Sequence, residues 1–404
     1  MKIAQINMVS YGSTGKIMLQ IAETAREMGH TAKTYATVPY DRYENFEKLS
    51  APGHSYWGSQ AENRTHYYLG RLLGRNGCFS YSGTRKLIAD LKAFAPDVVH
   101  LHNLHKFCIH LPSLFAYLKQ SKVKVIWTLH DCWPFTGQCA HFVMANCDKW
   151  KSGCHNCPQL SVYPKSDIDN TKWMYEKKKA WFTGLQDMTI VVCSAWLEKL
   201  VKQSFLKQYP VVRIPNGIDL TLFQPTPGDF REKYHLENKT ILLGVSFGWG
   251  KRKGLDVFIR LAERLPDNYR IVLVGVTEED RKQIPERILA IGKTDNVQDL
   301  AEIYTAADLF VNPTREDTFP TVNMEALACG TPVLTFQTGG SPEIGDATCS
   351  SVVPCEDVEA LEQEILRICT EKPYSQEACL RRAKEFDRKK TFENYVKLYE
   401  TSAK

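Results

Sequence analysis

The sequence predicts an α/β protein built on two parallel sheets. Strand-like apolar runs alternate with helical stretches along nearly the whole chain, which is the pattern of successive βα units. The runs fall into two series, and a turn-rich, polar stretch separates them near residue 213. At 404 residues the chain is long enough for two domains, each with its own core.

The first series comprises residues 2–9, 31–36, 97–101, 123–129 and 188–193. After its opening strand comes the turn Ser10 to Lys16, and then a helix whose Ile17, Ile21, Ala25 and Met28 recur at helical spacing. Residues 214–219, Ile-Pro-Asn-Gly-Ile-Asp, read as a hinge and 224–238 as its polar continuation. The second series comprises residues 241–245, 269–274, 288–291, 309–311 and 332–336. Phe392, Tyr395, Val396 and Tyr399 then form one stripe of a last helix, which marks an apolar face without saying what it covers. The expected domains are therefore 1–212 and 213–387, with a terminal helix at 388–404. No short repeat or low-complexity tract interrupts them.

Composition is that of an ordinary soluble globular protein. Residues 2–9 enter a strand pattern directly, with no secretory signal ahead of it, and no apolar run approaches transmembrane length, so the expected compartment is the cytosol. Thirteen cysteines, an odd number without a secretory signal, point to reduced thiols or a metal site rather than a disulfide framework. A formal net charge of +5 suits phosphate-bearing ligands or an acidic membrane surface and does not call for nucleic acid.

The most informative stretch is 314–333, which sets two acids about two helical turns apart between two apolar strands. A helix is expected from Thr318 to Cys329, with Asp317 at its entrance and Glu325 on its body, facing the crevice beyond the strand ends where open α/β sheets bind ligands. Carboxylates suit a ribose or a hexose because each oxygen accepts directionally from neighbouring hydroxyls. The plainer alternative is that Asp317 caps the helix and Glu325 is a solvated acid. Three turns at strand ends can handle phosphate. Gly12 and Gly15 lie where the first helix opens, so free amides and the helix dipole would attract an anion. Ser10 and Ile17 exclude a Walker loop, and the spacing excludes a dinucleotide fingerprint. Phe247 to Gly254 adds Lys251, Arg252 and Lys253 to its glycines, and Gly339-Gly340 is flexible enough to approach phosphate or sugar through backbone amides.

Together these residues resemble the retaining glycosyltransferases of family four, which have the GT-B fold of two facing Rossmann-like domains. The resemblance covers nearly the whole chain. It rests on the Gly12 to Gly15 loop, Asn216-Gly217-Ile218-Asp219, Arg252-Lys253-Gly254, Glu325-Ala326-Leu327-Ala328-Cys329-Gly330-Thr331-Pro332-Val333 and Gly339-Gly340-Ser341-Pro342-Glu343. Thr128-Leu129-His130-Asp131-Cys132-Trp133-Pro134-Phe135-Thr136-Gly137 is similar to the subgroup that builds colanic-acid-type and capsular polysaccharides. Two features depart from the family's pattern: Asp317, with Glu316 beside it, replaces the first glutamate of the usual acid pair, and Phe247-Gly248-Trp249 replaces the usual arginine before Arg252-Lys253.

The resemblance implies transfer of a hexose from a nucleotide-sugar to a hydroxyl of a glycan or lipid-linked acceptor in bacterial surface-polysaccharide biosynthesis. Configuration would be retained and no catalytic metal used. Arg252 and Lys253 would neutralise the leaving diphosphate, aided by the Gly12 to Gly15 amides. Glu325 would hold the ribose. Asp317, Glu316, Thr318, Phe319 and the Gly339-Gly340 backbone would hold the rest of the donor, and His130 would reach its sugar from the opposite side. The donor's own phosphate oxygen is expected to take the acceptor proton, so no protein base is assigned. The last helix is expected to cross back onto the first domain.

Two other functions stay open on sequence: a nucleotide-sugar 2-epimerase of the same plan, and a zinc-containing nucleic-acid-binding protein built around Cys139, Cys147, Cys154 and Cys157. Those cysteines suit a structural zinc, with His141 or His155 able to replace one sulfur, and ordinary reduced thiols are the alternative. Asp167 and Asp169 imitate a metal-binding D-x-D, but helix capping explains them better. Arg64, Tyr67, Tyr68, Arg71, Leu72 and Arg75 on one helix, and Lys172, Trp173, Lys177, Lys178 and Trp181 on another, would suit peripheral membrane contact.

Overall fold

The computed structural model describes residues 1–39, 50–105 and 107–401, and the chain divides into two compact units. The first is Met1–Ile214 with Thr391–Lys404, and the second is Pro215–Lys390.

The first unit is a seven-stranded parallel sheet in the order β3-β2-β1-β4-β5-β6-β7, formed by β1 (Lys2–Ile6), β2 (Thr31–Thr37), β3 (His54–Trp57), β4 (Val98–Leu101), β5 (Lys124–Leu129), β6 (Met188–Val192) and β7 (Val211–Arg213). Ile3 sits beside both Ala32 and Val98 in register. The chain order reverses at that point, so the crevice beyond β1 and β4 is where an open sheet of this kind takes a ligand. The first helix, Gly12–Glu27, buries Ile17, Met18, Ile21, Ala22 and Ala25 against the sheet. Gly15 must lack a side chain, because a Cβ there would meet the carbonyl carbon of Ser10 at 2.6 Å.

The last helix, Arg388–Glu400, packs Phe392, Tyr395, Val396 and Tyr399 into the same core as Ile3, Ile17, Ile21, Ile126 and Val191. Burying four such side chains is worth about 6–12 kcal/mol of transfer free energy. Polar contacts add direction. The Tyr399 hydroxyl lies 2.6 Å from His100 Nδ1, and Lys124 Nζ donates to the Leu398 carbonyl at 2.7 Å, one of the helix's unpaired C-terminal acceptors.

The second unit is a six-stranded parallel sheet in the order β10-β9-β8-β11-β12-β13, from β8 (Thr240–Val245), β9 (Tyr269–Val274), β10 (Ile288–Ile291), β11 (Leu309–Asn312), β12 (Val333–Phe336) and β13 (Ser350–Val353). Leu242, Phe258, Leu261, Leu309, Leu334, Phe336, Leu361 and Ile365 form its core. Its order reverses between β8 and β11. The hinge is pinned within this unit: Ile218 N–H donates to the Phe386 carbonyl at 2.9 Å, Arg388 N–H donates to the Ile218 carbonyl at 2.9 Å, and Arg388 pairs with Asp219 at 3.0 Å.

The sequence reading passes over β3, β7 and β13, and all three are sheet edges. An edge strand has one neighbour and a half-covered face, so it needs no continuous apolar run; β13 is Ser-Ser-Val-Val with Val352 exposed. Among the described residues no helix is long and apolar enough to cross a membrane.

Candidate functional site

In the second unit the ends of β8 and β11 flank the reversal of strand order, and their loops carry the expected charges. After β8, Lys251–Lys253 form a short 3-10 turn. Arg315 N–H donates to the Arg252 carbonyl at 2.9 Å and Arg252 Nη1 donates to the Glu316 carbonyl at 3.2 Å, which laces the two loops together. Lys253 Nζ then reaches Asp317 Oδ2 at 2.8 Å, with both side chains about four-fifths buried. Asp317 Oδ1 also accepts from Phe319 N–H at 3.3 Å, and the Phe319 carbonyl accepts from the Asn216 amide at 3.3 Å.

Gly339 packs on the same residue. A Cβ there would fall 1.7 Å from the Asp317 carbonyl oxygen, and the left-handed backbone (φ +54°) favours glycine again. Gly340 N–H donates to that carbonyl at 3.2 Å, and Thr338 Oγ1 to the Arg315 carbonyl at 2.8 Å. Asp317, Lys253 and the Gly339-Gly340 turn are thus one rigid constellation at the sheet's switch point. Glu316 and Thr318 are buried beside Asp317.

The helix holding Glu325 runs Thr321–Ala328, with Pro320 as its N-cap, and begins three residues later than the spacing suggested. Asp317 therefore belongs to the loop rather than to the helix entrance. Glu325 is half-buried, and its Oε2 accepts from the Tyr304 hydroxyl at 3.0 Å. Tyr304 is fully buried, and burial, with the Glu325 charge beside it, raises its phenol well above the ordinary range, so it stays a donor. Sequence reasoning missed Tyr304, which reads as an ordinary core aromatic, and also Arg315. Arg315 is 4% exposed and holds Asp256 at 2.7 Å and Glu356 at 2.5 Å as well as the Lys251 carbonyl, so it braces the Lys251–Lys253 turn from behind.

In the first unit, Gly12 and Gly15 lie at the start of the first helix, and Asn7 secures the turn by donating to the Val9 carbonyl at 2.8 Å and to Thr14 Oγ1 at 3.2 Å. His130 follows β5 directly, and its Nε2 is 3.1 Å from His102 Nδ1. Burial pushes His130 down to about 4, against the opposing pull of Asp131, so the ring is neutral at physiological pH. Asp131 is committed to His105 Nε2 at 2.8 Å and accepts from Trp133 N–H at 2.9 Å, tying the loop after β5 to the one after β4.

Cys139, Cys147, Cys154 and Cys157 are free thiols that line one cavity of about 20 Å³, together with Phe142 and Trp150. Gly137 N–H donates to Cys154 Sγ at 3.2 Å, and Asp169 accepts from Cys157 N–H at 2.6 Å and from Thr171 N–H at 3.0 Å, so it caps the helix Thr171–Phe182 and clips the knuckle to it. Among the described residues no three His, Cys, Asp or Glu side chains are grouped closely enough to hold a metal ion as they stand. Lys178 is a correction. It is fully buried and so not available to the expected membrane-contact stripe, donating to the Trp133 carbonyl with its ammonium 3.7 Å from that ring. Asp167 pairs with Arg71 at 2.5 Å, which leaves the D-x-D resemblance without substance.

Comparison with known proteins agrees with this architecture. The model for Glycosyltransferase Family 4 matches residues 14–222, and that for Glycosyl transferases group 1 matches residues 238–371. The chain is 26% identical over 279 residues to a putative colanic acid biosynthesis glycosyl transferase, WcaC, of Escherichia coli K12, covering 66% of each chain. It spans about two thirds or less of the length of the curated relatives it matches. A sucrose-phosphate synthase from Thermosynechococcus elongatus shares the fold at a TM-score of 0.72 and 18% identity, covering 98% of both chains. The Anabaena protein HepE, solved in complex with UDP-glucose, does so at 0.68 and 13%, again over 98% of both. With this strand order and a family model over more than half its length, the chain belongs to Glycosyltransferase Family 4.

Proposed function

We propose that this protein transfers a hexose from a nucleotide-sugar to a hydroxyl of a glycan or lipid-linked acceptor, with retained configuration and without a catalytic metal, in surface-polysaccharide synthesis. The observation that carries the reading is the constellation at the β8/β11 switch point. A cation, Lys253, and two carboxylates, Asp317 and Glu325, are each held by a second group where a parallel sheet takes its ligand. Glu325, oriented by Tyr304, suits a ribose diol. Lys253 and Arg252 suit a diphosphate, and Asp317, Glu316, Thr318, Phe319 and the Gly339-Gly340 backbone suit the sugar. His130 and the Gly12 to Gly15 turn of the first unit are assigned to the donor sugar and its phosphates.

In this reading the bond between the anomeric carbon and the β-phosphate oxygen breaks while the acceptor oxygen bonds to that carbon on the same face. The acceptor proton passes to the departing phosphate oxygen, and a nucleoside diphosphate leaves. Lys253 and Arg252 act where charge grows, so their stabilisation is greater in the transition state than in the bound donor. The WcaC likeness favours a polysaccharide acceptor, and the UDP-glucose complex of HepE favours a uridine nucleotide as the first donor to try. The epimerase and nucleic-acid alternatives have no observation in their favour. Exposed Tyr68 and Leu72 on the helix Gln60–Leu72 favour membrane contact near a lipid-linked acceptor.

The deciding experiment is calorimetric titration of nucleotide-sugars into the wild type and into Glu325→Gln. Loss of one charge-assisted contact costs about 1.5–3 kcal/mol, a weakening of roughly ten- to a hundredfold. Equal affinity in the two proteins would remove Glu325 from the donor site. The four cysteines are proposed to hold a structural zinc: four thiols on one small cavity are a donor set suited to that ion, although they must draw closer to bind it. Its role would be to order the loop after His130.

A further inference from the structure

Behind His130 lies a buried chain of polar groups whose directions are dictated by the backbone. Gln5 is a polar residue in the middle of apolar β1, and it is completely buried. Its amide faces the first helix, where it meets the Met18 carbonyl and the Ala22 N–H. A carbonyl can only accept and a peptide N–H can only donate, so a single orientation satisfies both. In it the Gln5 nitrogen donates to the Met18 oxygen at 3.2 Å and the Gln5 oxygen accepts from Ala22 N–H at 3.0 Å. The same NH2 group lies 3.0 Å from His102 Nε2 and supplies its second hydrogen there.

His102 is 1% exposed and stays neutral, because burial holds its ring well below the usual imidazole range. A neutral imidazole carries one proton. Since Nε2 accepts from Gln5, that proton is on Nδ1, and Nδ1 is 3.1 Å from His130 Nε2. The rings are nearly parallel, with 13° between planes. His130 Nε2 therefore accepts, and the neutral His130 must carry its own proton on Nδ1. Which nitrogen of a histidine is protonated is set by the hydrogen bond the other one makes, and here the setting starts from two peptide groups of the first helix.

We infer that Gln5 and His102 are positioning residues which lock His130 in the Nδ1–H tautomer, so that it offers a hydrogen-bond donor to the donor sugar and cannot act as a base through that nitrogen. The inference rests on the reading that places His130 at the donor, and it deepens that reading. It also explains why Gln5 in β1 and His102, the residue that follows β4, are both buried. The same helix that opens with the Gly12 to Gly15 turn sets the polarity of the histidine.

The test is long-range proton–nitrogen correlation spectroscopy on the full chain labelled at histidine nitrogens, at pH 7.5, with assignments from His130→Gln and His102→Gln. The wild-type spectrum is expected to show both rings protonated at Nδ1; Nε2–H at His130 overturns the lock without any variant having to fold. In Gln5→Met the His130 signals should shift toward the Nε2–H form, and turnover should fall about tenfold or more, as when the partner fixing a functional imidazole is removed, while donor KM moves less. A shifted tautomer with unchanged turnover overturns the positioning role and takes His130 out of the reaction. Donor binding through Glu325 would survive that result, so the two readings fail separately.

Discussion

Acid should unfold the first unit selectively. Of the eleven histidines only His235 lies in the second unit, and among those in the first, His66, His100 and His102 are buried and His130 is half-buried, all four with their pKa values pushed down by desolvation. His66 is the clearest. It is fully buried, Nε2 accepts from Gly77 N–H at 3.0 Å, Nδ1 bonds Ser80 Oγ at 2.7 Å, and burial takes it to about 3. Below pH 6.5 the unfolded chain takes up a proton at such a ring while the folded one does not. The unfolded state then binds more protons, and stability falls as pH falls toward the folded pKa. Between pH 7.5 and 5 each ring costs about 2 kcal/mol, and the four together about 8 kcal/mol, comparable to the whole stability of a typical domain. Asp131 does not compensate: burial raises its pKa, but His105, His141 and the hydrogen bond from Trp133 together hold it below the ordinary value, outside that window. Of the eight tryptophans only Trp249 lies in the second unit, so urea unfolding followed by tryptophan fluorescence reports on the first. In His66→Phe the pH dependence should shrink by about 2 kcal/mol, on top of a pH-independent loss from the orphaned Gly77 N–H. A first unit whose stability changes by less than about 2 kcal/mol over that interval would refute the reasoning, as would an equally acid-labile second unit measured by hydrogen exchange.

Three further outcomes are expected. Lys253→Ala should lower kcat roughly a hundredfold with a smaller change in donor affinity, because the group acts on developing charge; wild-type turnover with a verified acceptor would end the diphosphate assignment. Truncation before Phe392 should destabilise the first unit alone, and the milder Phe392→Ala should cost about 3–5 kcal/mol there, so denaturation curves that match the wild type would contradict the packing of the last helix. Protein purified without added metal should contain close to one zinc per chain, lost in the Cys154→Ser, Cys157→Ser double variant, while brief chelation leaves turnover intact. Four titratable thiols in fully active, metal-free protein would dispose of the zinc.

Much of the architecture was legible in the order of residues. Buried parallel strands require continuous apolar runs and their helices a 3.6-residue stripe, so both series could be read directly, and the reversal of pattern near residue 213 was visible as turn residues. Turn chemistry is equally local, which is why the Gly12 to Gly15 loop, Arg252-Lys253 and the acids near Glu325 could be singled out. Edge strands escaped because one neighbour and a wet face demand little of their sequence.

What only the tertiary structure decided is which groups meet and in what direction. The last helix has an apolar stripe in any reading; that it belongs with Ile3 and Ile126 follows from long-range packing that no local pattern encodes. Lys178 has the sequence of a solvated lysine and the place of a buried one. Tyr304 and Gln5 carry no motif and Arg315 has no assigned role within its own, yet each orients a charged or polar group through a hydrogen bond to a residue distant in sequence. Composition and spacing determine which side chains are available, whereas hydrogen-bond direction depends on the fixed polarity of peptide groups brought alongside them, and that juxtaposition exists only in the folded chain.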